Sequence, residues 1–307
     1  MQTQAEIRTN VTHKIVAALQ SGAIPFWRQT WTKSQNSGPP TNAVSRKPYQ
    51  GVNRLLFSIL GYDSKWFATY AQWQSLGGQV RRGEKSVTGI LFKPVTKKKV
   101  NEEGEEERSS YGFLRSFSLF HLSQVDGDLK EFRDTVPTDT RTSFVDYGPA
   151  EEVFSATGAE VRYGGDRAFY SPSGDYIQLP PKESFSNAKD LYSVLAHETV
   201  HWSGNETRLN RLNKFARFGD EAYAVEELVA ELGAAFLLTE LGIPQSDDLS
   251  NVTAYLGHWL KVLKRDHSAI FTAASAASKA ADFILAFSRP AEEESVGDVI
   301  EAEAVPT

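Results

Sequence analysis

Apolar positions recur at helical spacing from the start of the chain. Ile15, Val16 and Leu19 lie in a run that predicts a helix from near Thr3 to a stop at Gly22. A Ser-, Asn-, Gly- and Pro-rich loop follows, and Val52 to Leu60 then reads as a second helix. Within Asp63 to Gly83, Trp66, Tyr70 and Trp73 lie on a third expected helix, which GGQVRRGEKS follows. Alternation of apolar and polar residues changes the period to two over Val87 to Val95 and Tyr111 to Leu119, which predicts two paired strands. The charged block KKKVNEEGEEERSS between them is expected to be a solvated or disordered hairpin tip. Leu129 to Ala150 is read as a linker region, bounded most tightly as residues 131–149.

Beyond it, a short helix over Ala150 to Thr157 precedes strand-like pieces at Glu160 to Tyr163, Ala168 to Ser171 and Asp175 to Leu179. The last of these is expected to be an edge that pairs with an extended peptide. Four helical segments follow: Leu191 to Gly204, Glu221 to Leu241, Ser250 to Arg265 and His267 to Phe287. The expected class is α+β in two domains, residues 1–130 and 150–289, with an acidic disordered tail over 290–307.

One segment carries recognisable chemistry. LYSVLAHETVHWSG holds His197, Glu198 and His201 as H-E-x-x-H on a helix whose buried stripe is Leu191, Val194, Leu195 and Val200. Residues four apart stack on one face, so both imidazoles can reach a single metal ion while Glu198 lies beside it as a general base for a water. Two histidines and a third protein ligand with one open position suit zinc, one per chain, or another divalent metal. A third histidine would fall at position 207, which is Thr207. The ligand is therefore expected from the next helix, where Glu227 and Glu231 share a face with Ala234, Ala235 and Leu238. Glu227 is the expected ligand and Glu231, one turn on, the residue that orients a ligating histidine. Glu226 is expected to point elsewhere. His258 and His267 are read as ordinary packing or surface residues.

Charge divides the chain. Residues 1–95 hold 12 Lys and Arg against 3 Asp and Glu, whereas residues 151–307 hold 13 against 25. A basic half with four tryptophans suits single-stranded DNA, because phosphates need cations and unpaired bases stack on aromatic faces. The expected contacts are Trp27, Arg28, Trp31, Arg46, Lys47, Tyr49, Asn53, Arg54, Arg81, Arg82 and Lys85. Phe57 and Phe67 are assigned to the core. The 307 residues include no cysteine, which excludes disulfides and thiolate ligands and fits the cytoplasm. No run of about 18 apolar residues and no apolar leader is evident, so a membrane is not an expected partner.

Several separate stretches carry a resemblance. TNVTHKIVAALQSGAIPFWRQTW, PPTNAVSRKPYQGVNRLLF, WFATYAQWQSLGGQVRRGEKS and FSLFHLSQVDG are similar to the N-terminal domain of ArdC-type antirestriction proteins of conjugative plasmids. LAHETVHWSGNETRLNR and YAVEELVAELGAAFL resemble the zincin-like metallopeptidase domain joined to it in that family. The resemblance implies single-stranded DNA binding, a protease-like metal site, and protection of transferred plasmid DNA from restriction. A protein substrate, such as a restriction component, is implied with it.

Overall fold

The computed structural model describes residues 3–20, 36, 38–58, 60, 62, 64–100, 106–133, 147–212, 221–244 and 250–289, with backbone alone at 93–100, 106–112 and 250–254. The first half opens with α1 (Gln4–Gln20) and continues through β1 (Thr41–Asn42), α2 (Val52–Ser58), β2 (Trp66–Ala68), α3 (Tyr70–Ser75) and β3 (Gln79–Val80). The ribbon β4 (Val87–Val100) and β5 (Glu106–His121) follows, then β6 (Val125–Asp126) and the single turn α4 (Lys130–Arg133). The expected strand pair is present and longer than its alternation suggests, with register running from Val87 opposite Leu119 to Val100 opposite Glu106. Its sheet has the order β1-β2-β5-β4.

The helix expected to carry Trp66, Tyr70 and Trp73 is broken into β2 and α3. Trp66 lies in a strand and bonds Asn36 through its indole N–H, while Trp73 is fully buried and donates to the Phe120 carbonyl. Each indole has both an apolar pocket and an acceptor, which outweighs the local helical spacing. Phe57 and Phe67 are core, as assigned. Trp27, Arg28, Trp31, the centre of the linker and the acidic tail lie outside the described residues. At the linker's near end Leu129 and Phe132 are buried.

The second half comprises α5 (Gly148–Ala156), β7 (Glu160–Tyr163), β8 (Phe169–Ser171), β9 (Tyr176–Leu179), α6 (Ala188–Ser203), α7 (Ala222–Leu241), α8 (Ser250–Arg265) and α9 (Ala269–Ala286). Its sheet has the order β7-β9-β8, with β7 parallel and β8 antiparallel to β9. The strand expected to be an edge, β9, is thus the centre of the sheet, because both neighbours use its hydrogen bonds. β8 is an edge.

α7 packs against α6, α8 and α9, and every residue from Ala224 to Leu238 is buried. A helix covered on all sides needs apolar residues all round, and only its carboxylates depart from that rule. Gly233 lets α6 approach: a Cβ there would stand 2.8 Å from Val200 Cγ2. Gly242, at φ 79°, ends the helix in the left-handed conformation. α9 is long and apolar enough by composition to cross a membrane, yet ten of its side chains are already packed in this core.

One apolar core runs through both halves, from Ile7 and Leu55 to Leu228 and Ile284. Polar contacts reinforce the joint. Thr12 donates to the His267 carbonyl at 2.9 Å, Thr9 Oγ1 lies 3.0 Å from His267 Nδ1, and the Gly51 amide donates to Ser278 Oγ at 2.9 Å. Arg54 is 2% exposed, donates to the Phe236 carbonyl at 2.9 Å, pairs with Glu240 at 3.4 Å and lies over the Phe236 ring. Burial pulls its pKa down to about 10, opposed by Glu240, so it stays charged at neutral pH. Arg54 therefore joins the halves and has no side left for a phosphate. Removing one member of a buried pair strands the other, so Arg54→Met should lower stability by about 2–4 kcal/mol, whereas Arg82→Met, on an exposed turn, should change it by about 0.5 kcal/mol or less. Denaturant titration of the full chain measures both.

Candidate metal centre

α6 begins where Asn187 Oδ1 accepts from the Asp190 amide at 3.0 Å and ends at Gly204. Along it, His197 and His201 face α7. His201 lies against Glu226 and Glu227, and His197 against Glu227 and Glu231, so the two helices run antiparallel. The Nε2 atoms of the two histidines stand 3.2 Å apart, and Glu227 presents one oxygen to each, at 3.4 Å from His197 and 3.5 Å from His201. Bonds of ~2.0–2.1 Å to a tetrahedral ion separate its ligands by about 3.4 Å. The three donors fit that spacing, and one ligand atom from each of His197, His201 and Glu227 lies within 4.8 Å of the others.

The electrostatics also call for a cation. Glu198, Glu226, Glu227 and Glu231 are all at least nine-tenths buried around two imidazoles. Burial alone would push His201 down, but hydrogen bonds that it donates to Glu226 and Glu227 raise it to about 10. Burial would push Glu227 up, yet the two imidazoles hold it far below the usual carboxylate range. Buried carboxylates at this density require compensating positive charge.

Glu226 corrects the sequence expectation that it faces elsewhere. Its Oε1 lies 3.1 Å from His201 Nδ1, and both its oxygens accept from Arg211, at 2.7 and 2.9 Å. Arg211 also donates to the Val200 carbonyl and to Ser203 Oγ, clamping the end of α6 to α7. Glu226 thus keeps a proton on His201 Nδ1, so that a cation displacing the Nε2 proton would meet the Nε2 lone pair turned toward the donor cluster. With α7 buried all round, no polar face marked out one carboxylate from another, and the hint available was Arg211 closely following H-E-x-x-H. Glu231 sits 3.9 Å from His197 Nδ1, beyond direct hydrogen-bond range.

The centre opens into a cleft of about 1020 Å³ whose walls include β8, α6, α7 and Tyr255. Tyr223, one turn before Glu227, accepts a hydrogen bond from Tyr255 at 3.2 Å. Burial, Tyr255 and Glu227 all push the Tyr223 hydroxyl up, so it remains a protonated donor at the cleft wall. Neither tyrosine carried a sequence signal.

The expected DNA contacts separate into free and engaged groups. Lys47, Arg82 and Lys85 are exposed. Arg46 is exposed but bonded to Glu131 and stacked over Phe132 and Trp66, and Arg81 pairs with Glu84 and Asp126. Asn53 is a backbone clamp, exchanging two 2.7 Å hydrogen bonds with Ile90, so it is withdrawn as a base contact. Tyr49 packs edge-on against Phe57 and accepts from Asn42.

Glu227→Ala should abolish tight binding of a divalent cation, whereas Glu226→Ala should weaken it on the order of 10- to 100-fold by freeing the His201 ring. Competition with a chromogenic chelator measures both, and a Glu226→Ala protein of wild-type affinity would show that the Arg211–Glu226 clamp does not reach the metal.

Comparison with known proteins agrees with this arrangement. A family described as zincin-like metallopeptidase matches residues 148–276, and one described as the N-terminal domain of anti-restriction factor ArdC matches residues 5–120. The uncharacterized protein y4eC of Sinorhizobium fredii (strain NBRC 101917 / NGR234) is 35% identical over 292 residues, 92% of each chain. A DNA primase TraC of Escherichia coli is 35% identical over 302 residues, but the match spans 27% of that longer protein. The metal-free crystal structure of antirestriction ArdC from plasmid R388 superposes with a TM-score of 0.75 at 36% identity, covering 92% of this chain and 98% of that one. Its Mn(II)-bound form gives 0.72 at 34%, covering 93% and 99%. A relative matched over nearly its whole chain thus takes a divalent metal, and the chain belongs to the ArdC-type antirestriction family, with an ArdC N-terminal half joined to a zincin-like metallopeptidase half.

Proposed function

We propose that this protein is a cytoplasmic antirestriction factor that binds single-stranded DNA through its basic half and hydrolyses a peptide bond at a zinc site formed by His197, His201 and Glu227. The observation that carries the hydrolytic reading is the trio of donors at 3.2–3.5 Å beside Glu198 in an open cleft. A structural zinc would more often be closed by four protein ligands. A divalent cation held there would polarise a carbonyl and ease deprotonation of a water. Glu198 supplies the base that takes the proton and passes it to the leaving amine. Glu226 steadies the His201 imidazole, Glu231 faces the Nδ1 side of His197, and Tyr223 offers a donor to oxygen in the cleft. β8 borders the cleft as an edge strand, so an extended peptide can add to it by main-chain hydrogen bonds.

The DNA reading rests on the charge of residues 1–95 and on the exposed Lys47, Arg82 and Lys85. Trp27, Arg28 and Trp31 complete the proposed contact set by sequence. Holding DNA and peptidase in one chain would raise the effective concentration of proteins bound to the same strand.

Glu198→Gln keeps shape and ligands while removing the base. It should retain zinc and DNA affinity and lose about 10²–10⁴-fold in cleavage of a casein or peptide-library substrate. Unchanged cleavage would remove the hydrolytic reading. Protection of transferred DNA, scored in the same variant, separates the two activities: protection that survives Glu198→Gln belongs to the DNA-binding half. For that half, affinity for an oligo-dT strand should exceed that for duplex and fall steeply with salt, with Trp27→Ala costing ~1–3 kcal/mol. Salt-independent, equal affinities would refute it.

A further inference from the structure

We infer that one face of the β4–β5 ribbon, at Leu91, Phe113 and Arg115, is a platform on which unpaired bases of single-stranded DNA stack; this rests on the DNA-binding reading above. Three of the ten large apolar residues left exposed among the described residues fall on this ribbon: Leu91 at 44%, Phe92 at 60% and Phe113 at 41%. Single exposed apolar residues are ordinary, but a group of them on one regular element marks a surface that a partner covers.

Register sorts these residues by face. Residues directly opposite one another in an antiparallel pair share a face, as do residues two apart along a strand. Val87 and Leu119, Gly89 and Phe117, Leu91 and Arg115, and Lys93 and Phe113 are opposite pairs, so they form four rows on one face, about 7 Å apart. The first row belongs to the core, where Leu119 is fully buried and Val87 packs against it. In the second, Phe117 lies over Gly89, with its ring 2.5 Å from where a Cβ would stand. In the third and fourth rows Leu91, Arg115 and Phe113 are exposed, and each row sets one apolar position opposite one cationic position. The other face is the core side: Ile90 and Leu114 are buried there, and Asn53 holds the Ile90 backbone. Phe92, opposite Leu114, belongs to that face.

The alternation decides the occupant. A protein partner favours an interface centre depleted of charge. A single strand instead presents a flat base and a phosphate with every nucleotide, which calls for apolar contact and a cation side by side. Arg115 is paired with no carboxylate among the described residues, so its guanidinium is available to a phosphate or to the face of a base. Arg82 and Lys85, exposed just before β4, continue the positive charge toward the base of the ribbon.

The test uses the full chain and a labelled oligo-dT strand, followed by fluorescence anisotropy. Phe113→Ala should weaken binding about 5- to 150-fold, the worth of one stacked base. Phe113→Leu, which keeps apolar bulk without a ring, should lose nearly as much, and Phe113→Trp should bind at least as tightly as the wild type. Arg115→Gln should weaken binding and reduce the slope of log affinity against log salt by about 0.7, and it carries the test if Phe113→Ala perturbs the ribbon. Phe92→Ala, on the opposite face, should bind like the wild type. Wild-type affinity in both Phe113→Ala and Arg115→Gln overturns the platform and leaves the DNA-binding reading intact. Equal losses from Phe92→Ala and Phe113→Ala overturn the assignment to this face. Sedimentation showing a self-associating wild type and a monomeric Phe113→Ala, at unchanged DNA affinity, gives the face to a second copy and overturns the platform. A wild-type chain that does not bind oligo-dT overturns both.

Discussion

Three glutamates on a helix with no solvent face set the terms for the second half of this protein. Glu226, Glu227 and Glu231 are at most 6% exposed in a helix buried continuously from Ala224 to Leu238. Carboxylates cannot be left bare in such surroundings, and each has a basic group against it. Arg211 and His201 meet Glu226, both imidazoles meet Glu227, and His197 stands nearest Glu231. The demand for positive charge therefore draws α6 and the segment after it onto α7. Gly233 makes that approach sterically possible beside Val200. A divalent cation held among His197, His201 and Glu227 would add to the same compensation, so the donor cluster and the packing of the domain are one electrostatic problem.

The same helix also anchors the basic half. Near its C-terminal end the Phe236 carbonyl and Glu240 receive Arg54, while α9, packed along α7, receives Gly51 through Ser278. A buried guanidinium loses hydration and must find fixed acceptors, which gives this joint a geometry that apolar contacts alone would leave loose. The two halves recognised as separate families thus share a core. The match to a quarter of a longer primase shows the same pair of halves within a larger chain.

Chemistry in the cleft follows from what α6 and α7 do not cover. His197, His201 and Glu227, which would hold a divalent cation, line a cleft whose other walls include β8 and the Tyr223–Tyr255 pair. The order β7-β9-β8 matters here, because it places next to the donors β8, which pairs on one side only among the described residues, and not the doubly paired β9.

The sequence by itself determined the two-histidine spacing, the glutamate beside them, the partner helix, the choice of Glu227 as facing residue, the division of charge and the presence of the strand pair. These are properties of period and composition, and local geometry carries them without further information. Tertiary structure alone decided three other matters. Glu226 holds His201 and is itself fixed by Arg211, although the sequence reading pointed it elsewhere on a wheel with no polar face to guide it. Arg54 and Asn53 look like surface cations and amides in a basic loop-helix junction, yet one closes the domain joint and the other pins Ile90. Strand order placed β9 in the centre, because pairing depends on which chains arrive on either side. In each case the deciding partner lies far along the chain, 15 residues for Arg211 and Glu226, 182 for Arg54 and Phe236, and side-chain periodicity holds no record of such distant hydrogen bonds.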